Sequence, residues 1–332
     1  KKISSCKSIC YGISSLGSIG CPVSPVVASK LYKDICIPKM CYGVETMNME
    51  KETISCMESF QATAAKLFQG IPIQTVNIGS VGNMGWLSIQ AIIDIYRLMF
   101  MWRILLLPMS CVYKKILIAR ILSLHFRGGG LGPTCNMLNT FKKYKLEDML
   151  IDSIMSGDYV DYRSFKCIIQ TMVHDRDHKA WKATCKLYKS MSLVNSDIMT
   201  RYRMLGWLMF MHDAVIFSRQ CKVIIRLLLN VDRLGRDVCS VCTKYCCNSA
   251  THVLFECDIC DHIREDLWSN VLTASPAPLA EELMEMNSYE CTRFILNGMN
   301  CNYVPEWKDL YISLCNFVYK MYTHYSSVSN ML

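Results

Sequence analysis

Apolar residues recur at helical spacing along most of the chain, and strand-like alternation is scarce. Ser24 and Pro25 open the first clear pattern, which predicts a helix to about residue 35, stopped by Pro38. Asn48 is placed to cap a longer helix, with Glu50 and Glu52 in its first turn, where the helix dipole favours acids. Ile54, Met57, Phe60, Ala64, Leu67 and Phe68 carry that helix, and Gly70 and Pro72 end it. Residues 73–85, with Asn77, Gly79, Gly82 and Gly85, read as a loop. Ser88 caps a third helix that is apolar nearly all round, as expected at the centre of a bundle, and Pro108 ends it. Residues 111–126 predict a fourth helix.

The tract Gly128-Gly129-Gly130-Leu131-Gly132-Pro133 is the clearest break in the pattern. It has neither a preceding strand nor a Gly-Lys-Ser/Thr ending, so it reads as a linker rather than a phosphate loop. Residues 134–200 are more polar and helical, with Lys142, Lys143 and Lys145 and then Lys179, Lys182, Lys186 and Lys189. Tyr144, Trp181 and Tyr188 interleave with them. Lysines with aromatic rings can track a nucleic-acid backbone and stack on bases; a solvated helix face over core aromatics has the same spacing. Residues 201–230 are helical and again basic. The expected class is therefore mostly α: a helical bundle at 1–127, a Gly-rich linker at 128–133, a basic helical region at 134–232, a small zinc knuckle at 233–268 and a helical tail at 269–332.

Composition narrows the class. The chain has 332 residues, 52% apolar and 19% charged, which excludes a disordered chain. The longest uncharged apolar run near the hydrophobic middle, residues 104–113, contains Pro108 and is about half of the roughly 20 residues a membrane span needs. Twenty cysteines without an N-terminal signal segment point to reduced thiols in the nucleus or cytoplasm of a protein that is not secreted. Since the sequence opens on Lys1, we expect a portion of a longer product.

Charge adds a direction. The net +8 divides into +15 over residues 1–250 and −7 over residues 251–332. A basic body with an acidic tail is a footprint of nucleic-acid binding.

Six cysteines fall between positions 239 and 260. Cys239, Cys242, His252 and Cys257 form a C-x2-C-x9-H-x4-C pattern, the donor set of a closed, tetrahedral structural zinc site. Cys260 offers a four-cysteine alternative with Cys239, Cys242 and Cys257, and Cys246, Cys247 and His262 are further donors. Four protein ligands leave no open position, which favours a structural Zn2+ over a catalytic one.

Other chemistry is poorly supported. His174 and His178 flank Asp175, not the glutamate of a H-E-x-x-H zinc helix. No Asp-Asp pair marks a two-metal polymerase centre, and no cysteine sits in a hydrolase motif.

Several segments, in order, resemble the region beyond the palm in non-LTR (LINE-type) retrotransposon reverse transcriptases. These are Leu31 to Pro38 with Cys41-Tyr42-Gly43-Val44-Glu45; the helix carrying Met57, Glu58, Phe60 and Gln61 and ending Gly70-Ile71-Pro72; and Gly85-Trp86-Leu87-Ser88-Ile89. The Cys239/Cys242 pair, Thr251 to Cys257, Arg264 and Trp268 are similar to that family's zinc-binding segment. The likeness covers about residues 1–268. The two cysteines inside the x9 spacer depart from the family pattern, and residues 269–332 match nothing in it.

The resemblance implies a C-terminal, non-catalytic part of an RNA-directed DNA polymerase that copies element RNA at a nicked chromosomal target. The catalytic aspartates and their Mg2+ would belong to an upstream palm, the natural partner of this region. Element RNA and target DNA would be gripped through phosphates, with Lys114, Lys115, Arg120, Lys142, Lys143 and Lys145 as the expected contacts. The rival readings are a zinc-stabilised protein-interaction module and a non-functional element remnant.

Overall fold

The computed structural model describes residues 2–15, 23–195, 203–231, 238–239, 241–246, 249–299 and 303–329. The protein is mostly α. Its helices are α1 (Lys2–Ser15), α2 (Pro25–Leu31), α3 (Ile37–Cys41), α4 (Lys51–Gln69), α5 (Asn77–Asn83), α6 (Ile89–Leu105) and α7 (Val112–Arg127). These are followed by α8 (Pro133–Lys143), α9 (Glu147–Ser156), α10 (Tyr162–Cys185), α11 (Gly206–Asp213) and α12 (Ser218–Leu228). The short α13 (Ser249–Thr251) precedes α14 (Asp261–Ala274), α15 (Ala277–Glu285), α16 (Ser288–Leu296) and α17 (Lys308–Ser329). Among the described residues the only β pairing is one antiparallel bridge, Val238 to Tyr245. None of the described helices is long and apolar enough to cross a membrane, and no disulfide joins any two described cysteines.

Several boundaries follow local chemistry. The Ser24 hydroxyl accepts from the Val26 amide at the start of α2. The Ser88 hydroxyl accepts from the Ala91 amide at the start of α6. Gly70, at φ +64°, ends α4 while the Ile71 amide returns to the Lys66 carbonyl.

Three expectations fail, each for an identifiable reason. Pro38 does not stop the helical run: a π-turn at Tyr32–Cys36 intervenes, and Pro38 falls in the first turn of α3, where a missing N–H costs nothing. Asn48 does not cap α4, which begins at Lys51; its side-chain oxygen instead accepts from Asn136 at 3.4 Å. Residues 77–83 form α5 rather than a loop. Gly79 and Gly82, one turn apart, let α5 approach Met191 and Leu229 at the first position and the Trp181 ring at the second. The glycines there serve close packing, not a turn.

The chain forms two compact units, each assembled from separated segments: Lys1–Ser8, Lys33–Gln61 and Leu87–Ala180; and Ile9–Tyr32, Ala62–Trp86 and Trp181–Leu332. The glycine tract 128–133 lies inside the first unit.

That unit has a core drawn from α6 to α10, including Leu98, Trp102, Ile121, Phe141 and Val173. Trp102 stacks on Phe165 with centroids 4.0 Å apart, and its indole N–H donates to the Val160 carbonyl at 3.0 Å. Asp94 is buried on α6; it accepts from the Tyr144 hydroxyl and the Gln90 amide, both at 2.8 Å, and pairs with Lys143. A buried carboxylate so surrounded is satisfied rather than reactive.

In the second unit, Trp207 of α11 donates to the Ile295 carbonyl at 3.0 Å and packs edge-on against Tyr311 of α17. The Asn297 side chain bonds the Leu193 carbonyl and the Asn195 amide, pinning the chain after α16. Helices α12, α14 and α17 pack together and position the cysteine–histidine segment.

Candidate metal centre

The C-x2-C turn folds through its own backbone. Val238 bridges Tyr245, the Cys239 amide donates to the Lys244 carbonyl at 2.9 Å, and Thr243 closes the turn at φ +60°. In this tight turn the amides of Val241 and Cys242 both point at Cys239 Sγ, each at 3.4 Å. These amides favour the thiolate. Burial works to raise the Cys239 thiol, but it is outweighed by the Cys242 amide, the Tyr325 hydroxyl and the Val241 amide, and the group falls to about 6.

The remaining donors come from one helical turn. His252 opens a π-turn at His252–Glu256 after α13, and the Cys257 amide returns to the His252 carbonyl at 2.7 Å. This widened turn places His252 and Cys257, five residues apart, toward the same point. His252 Nε2 lies 3.2 Å from Cys242 Sγ, while Nδ1 faces a Glu256 oxygen at 3.6 Å. At 3.6 Å the carboxylate lies just beyond hydrogen-bond reach of the nitrogen that metal-site histidines commonly offer to a carboxylate.

Cys239, Cys242, His252 and Cys257 thus form a Cys3His cluster that can hold a metal ion, with donor atoms all within 4.8 Å of one another. Tetrahedral zinc at about 2.3 Å from sulfur and 2.0 Å from nitrogen separates its donors by roughly 3.5–3.8 Å, so small side-chain shifts close this set. Burial and the neighbouring thiols Cys239, Cys242 and Cys260 push Cys257 up to about 12. A bound cation reverses that repulsion.

Surrounding contacts hold the turn in place. The Arg264 guanidinium donates to the carbonyls of Leu254 at 2.9 Å and Cys257 at 2.7 Å, and also pairs with Asp261. Phe255 packs edge-on to Trp268 at 5.3 Å, and both rings meet Phe317 of α17. The Tyr325 hydroxyl, buried on α17, lies 3.3 Å from Cys239 Sγ and donates to it when that sulfur is a thiolate.

Of the other candidate donors, Cys260 is buried beside Cys257 but outside the four-residue cluster, and His262 packs against His324. Cys246 is buried and likewise outside the cluster. Cys247 and positions 233–237 lie outside the described residues. Sequence reasoning missed Tyr325 and Phe317. The apolar period of α17 (Leu310, Leu314, Phe317, Met321, Tyr325) marks a buried face without saying that one hydroxyl on it reaches a cysteine.

The six basic candidates all lie on α7, on α8 or just beyond it, in the first unit, and they divide. Lys114 is buried, with its ammonium 4.4 Å from the centre of the Tyr159 ring, and Lys143 pairs with Asp94. Lys115, Arg120, Lys142 and Lys145 are exposed. Lys142 lies 3.4 Å from Glu147, which also meets His125. Arg176 donates to the Lys143 carbonyl at 2.9 Å, which brings a further exposed charge beside Lys142 and Lys145. Of the interleaved rings, Tyr144 is buried and Trp181 packs against Gly82 while donating to the Ile78 carbonyl. Tyr188 stays partly exposed.

No protein-family model, curated protein or solved structure matches this chain.

Proposed function

We propose that this chain is a nucleic-acid-gripping, non-catalytic portion of an RNA-directed DNA polymerase of the non-LTR retrotransposon type, braced by one structural Zn2+. The observation that carries the reading is the Cys3His cluster, whose donors occur in the order and spacing that the family resemblance implies. Cys239, Cys242, His252 and Cys257 would hold the ion. When bound, zinc would tie the C-x2-C turn to the His252 turn and supply folding free energy to a segment with little core of its own. Three thiolates and one imidazole fill a tetrahedron and leave no position for water, so the metal would brace rather than react.

The grip would come from the exposed charges at the end of α8. Lys142 and Lys145 are exposed there, and Arg176 donates to the Lys143 carbonyl beside them; charges so placed would suit phosphate, with Lys142 shared with Glu147. Lys115 and Arg120 flank an apolar stripe on α7, a setting less suited to a polyanion. Phosphate contacts position without reading sequence, so binding to a primer–template duplex should be sequence-tolerant and strongly salt-dependent. For about three phosphate contacts, raising salt from roughly 50 to 200 mM should weaken binding to an RNA–DNA duplex by about 40-fold. Affinity that holds constant across that range, or no duplex binding at the lower salt, contradicts the reading.

A further inference from the structure

Helix α7 turns Lys114, Leu117 and Ile121 toward α6 and α8 and leaves its opposite face open. On that face Val112, Ile116, Ala119, Ser123 and Phe126 follow one another at intervals of four, three, four and three residues. Val112, Ile116 and Phe126 are 63%, 53% and 71% exposed, and Ala119 and Ser123 are exposed between them. A 3.5-residue period is the seam of a helix that receives another helix, with knobs filling a row of holes. The seam runs about 21 Å at 1.5 Å per residue. Small residues at its middle allow a second backbone to approach, and larger ones at its ends supply apolar contact.

The exposed charges on both flanks are basic, with Tyr113 and Leu122 at the other flanking positions. Lys115 borders one side, and Arg120 and Arg127 border the other; all three are exposed, and α7 contains no acidic residue. Flanking positions of such a seam choose their partner by charge. Phosphate would want charges along the centre of the stripe, whereas its five residues carry no charge and only one hydroxyl, that of Ser123. A membrane surface would want bulky apolar residues throughout, whereas the middle of this stripe is alanine and serine.

We propose that the outward face of α7 is a docking seam for an α-helix of another protein, one with an apolar stripe edged by aspartate or glutamate. This site is separate from the metal centre and from the basic group at the end of α8, and it stands whether or not the chain grips nucleic acid. An exposed apolar stripe of this length is uncommon on a surface with no partner.

The test uses the full chain and a labelled synthetic peptide of about three heptads, with leucine at the seam positions and glutamate at the flanks; the glutamates keep it from pairing with itself. Fluorescence anisotropy should show saturable binding. The peptide with lysine at the flanks should bind about tenfold or more weakly. Ile116→Asp with Phe126→Asp should weaken the acidic peptide by about tenfold or more. Both side chains are exposed, so the melting temperature of that variant should be unchanged. Lys115→Glu with Arg120→Glu should reverse the preference and take the lysine-flanked peptide. Failure of the acidic peptide to bind, or equal binding by the Asp variant, overturns the proposal. So does the same variant losing affinity for phosphatidylserine vesicles or an RNA oligonucleotide while peptide binding stays flat. Loss of duplex binding alone would contradict the polymerase reading and leave the seam intact.

Discussion

At the scale of single residues, the metal donors are legible and their supports are not. Cysteine and histidine announce themselves by type and spacing, because few other roles need C-x2-C followed by histidine and cysteine at that distance. Tyr325 carries no such mark; it reaches Cys239 from 86 residues further along. Lys114 shows the converse: a lysine among lysines reads as a surface charge, yet it is buried over the Tyr159 ring. A hydrogen bond to a ligand sulfur steadies the thiolate and the geometry, and loss of such partners commonly weakens metal affinity by about 10–100-fold. Tyr325→Phe is therefore expected to lower zinc affinity at the smaller end of that range, read by competition with a chromophoric chelator. Unchanged affinity in Tyr325→Phe would show that the ring packs without supporting the cluster.

At the scale of elements, the local signals at Ser24, Ser88 and Gly70 were readable, those at Pro38 and Asn48 misled, and helix α5, set by distant neighbours, was hidden. Ser24, Ser88 and the Gly70–Pro72 stop act on backbone groups within a few residues, so their effect is visible in sequence. The α5 helix was hidden because glycine is a poor helix former, and its reason for being there is Trp181, about a hundred residues away. A Cβ on Gly82 would fall 2.8 Å from the Trp181 ring, which its own hydrogen bond to Ile78 holds in place. Gly82→Ala is expected to destabilise the protein by about 1–3 kcal/mol in urea denaturation, despite alanine's better helix propensity. Gly12→Ala, on a helix with open space around that position, is expected to be neutral or to gain up to about 1 kcal/mol. Equal effects at the two sites would mean that α5 does not depend on close approach to Trp181.

At the scale of the whole molecule, hydrophobic period reports which face of a helix is buried and not which distant helix covers it. That is why the mostly α class was readable, while the interleaving of segments into two units was not. The same limit explains residues 269–332, whose helices are periodic but whose role emerges only where Phe317 and Tyr325 of α17 meet the cysteine–histidine turn. The charge split along the sequence does not divide the two units, because the second unit takes in the basic stretch 181–250 together with the acidic residues after it. The metal reading requires Cys239, Cys242, His252 and Cys257 to close around one metal ion. Titration of the reduced full chain with Co2+ under argon tests it most directly, since tetrahedral cobalt reports its donors in its absorption spectrum. The expected result is saturation at a single equivalent, with intense visible bands and a thiolate charge-transfer band, both weakened in Cys242→Ser and His252→Ala. Pale octahedral spectra, or full-intensity bands that survive both substitutions, would contradict it.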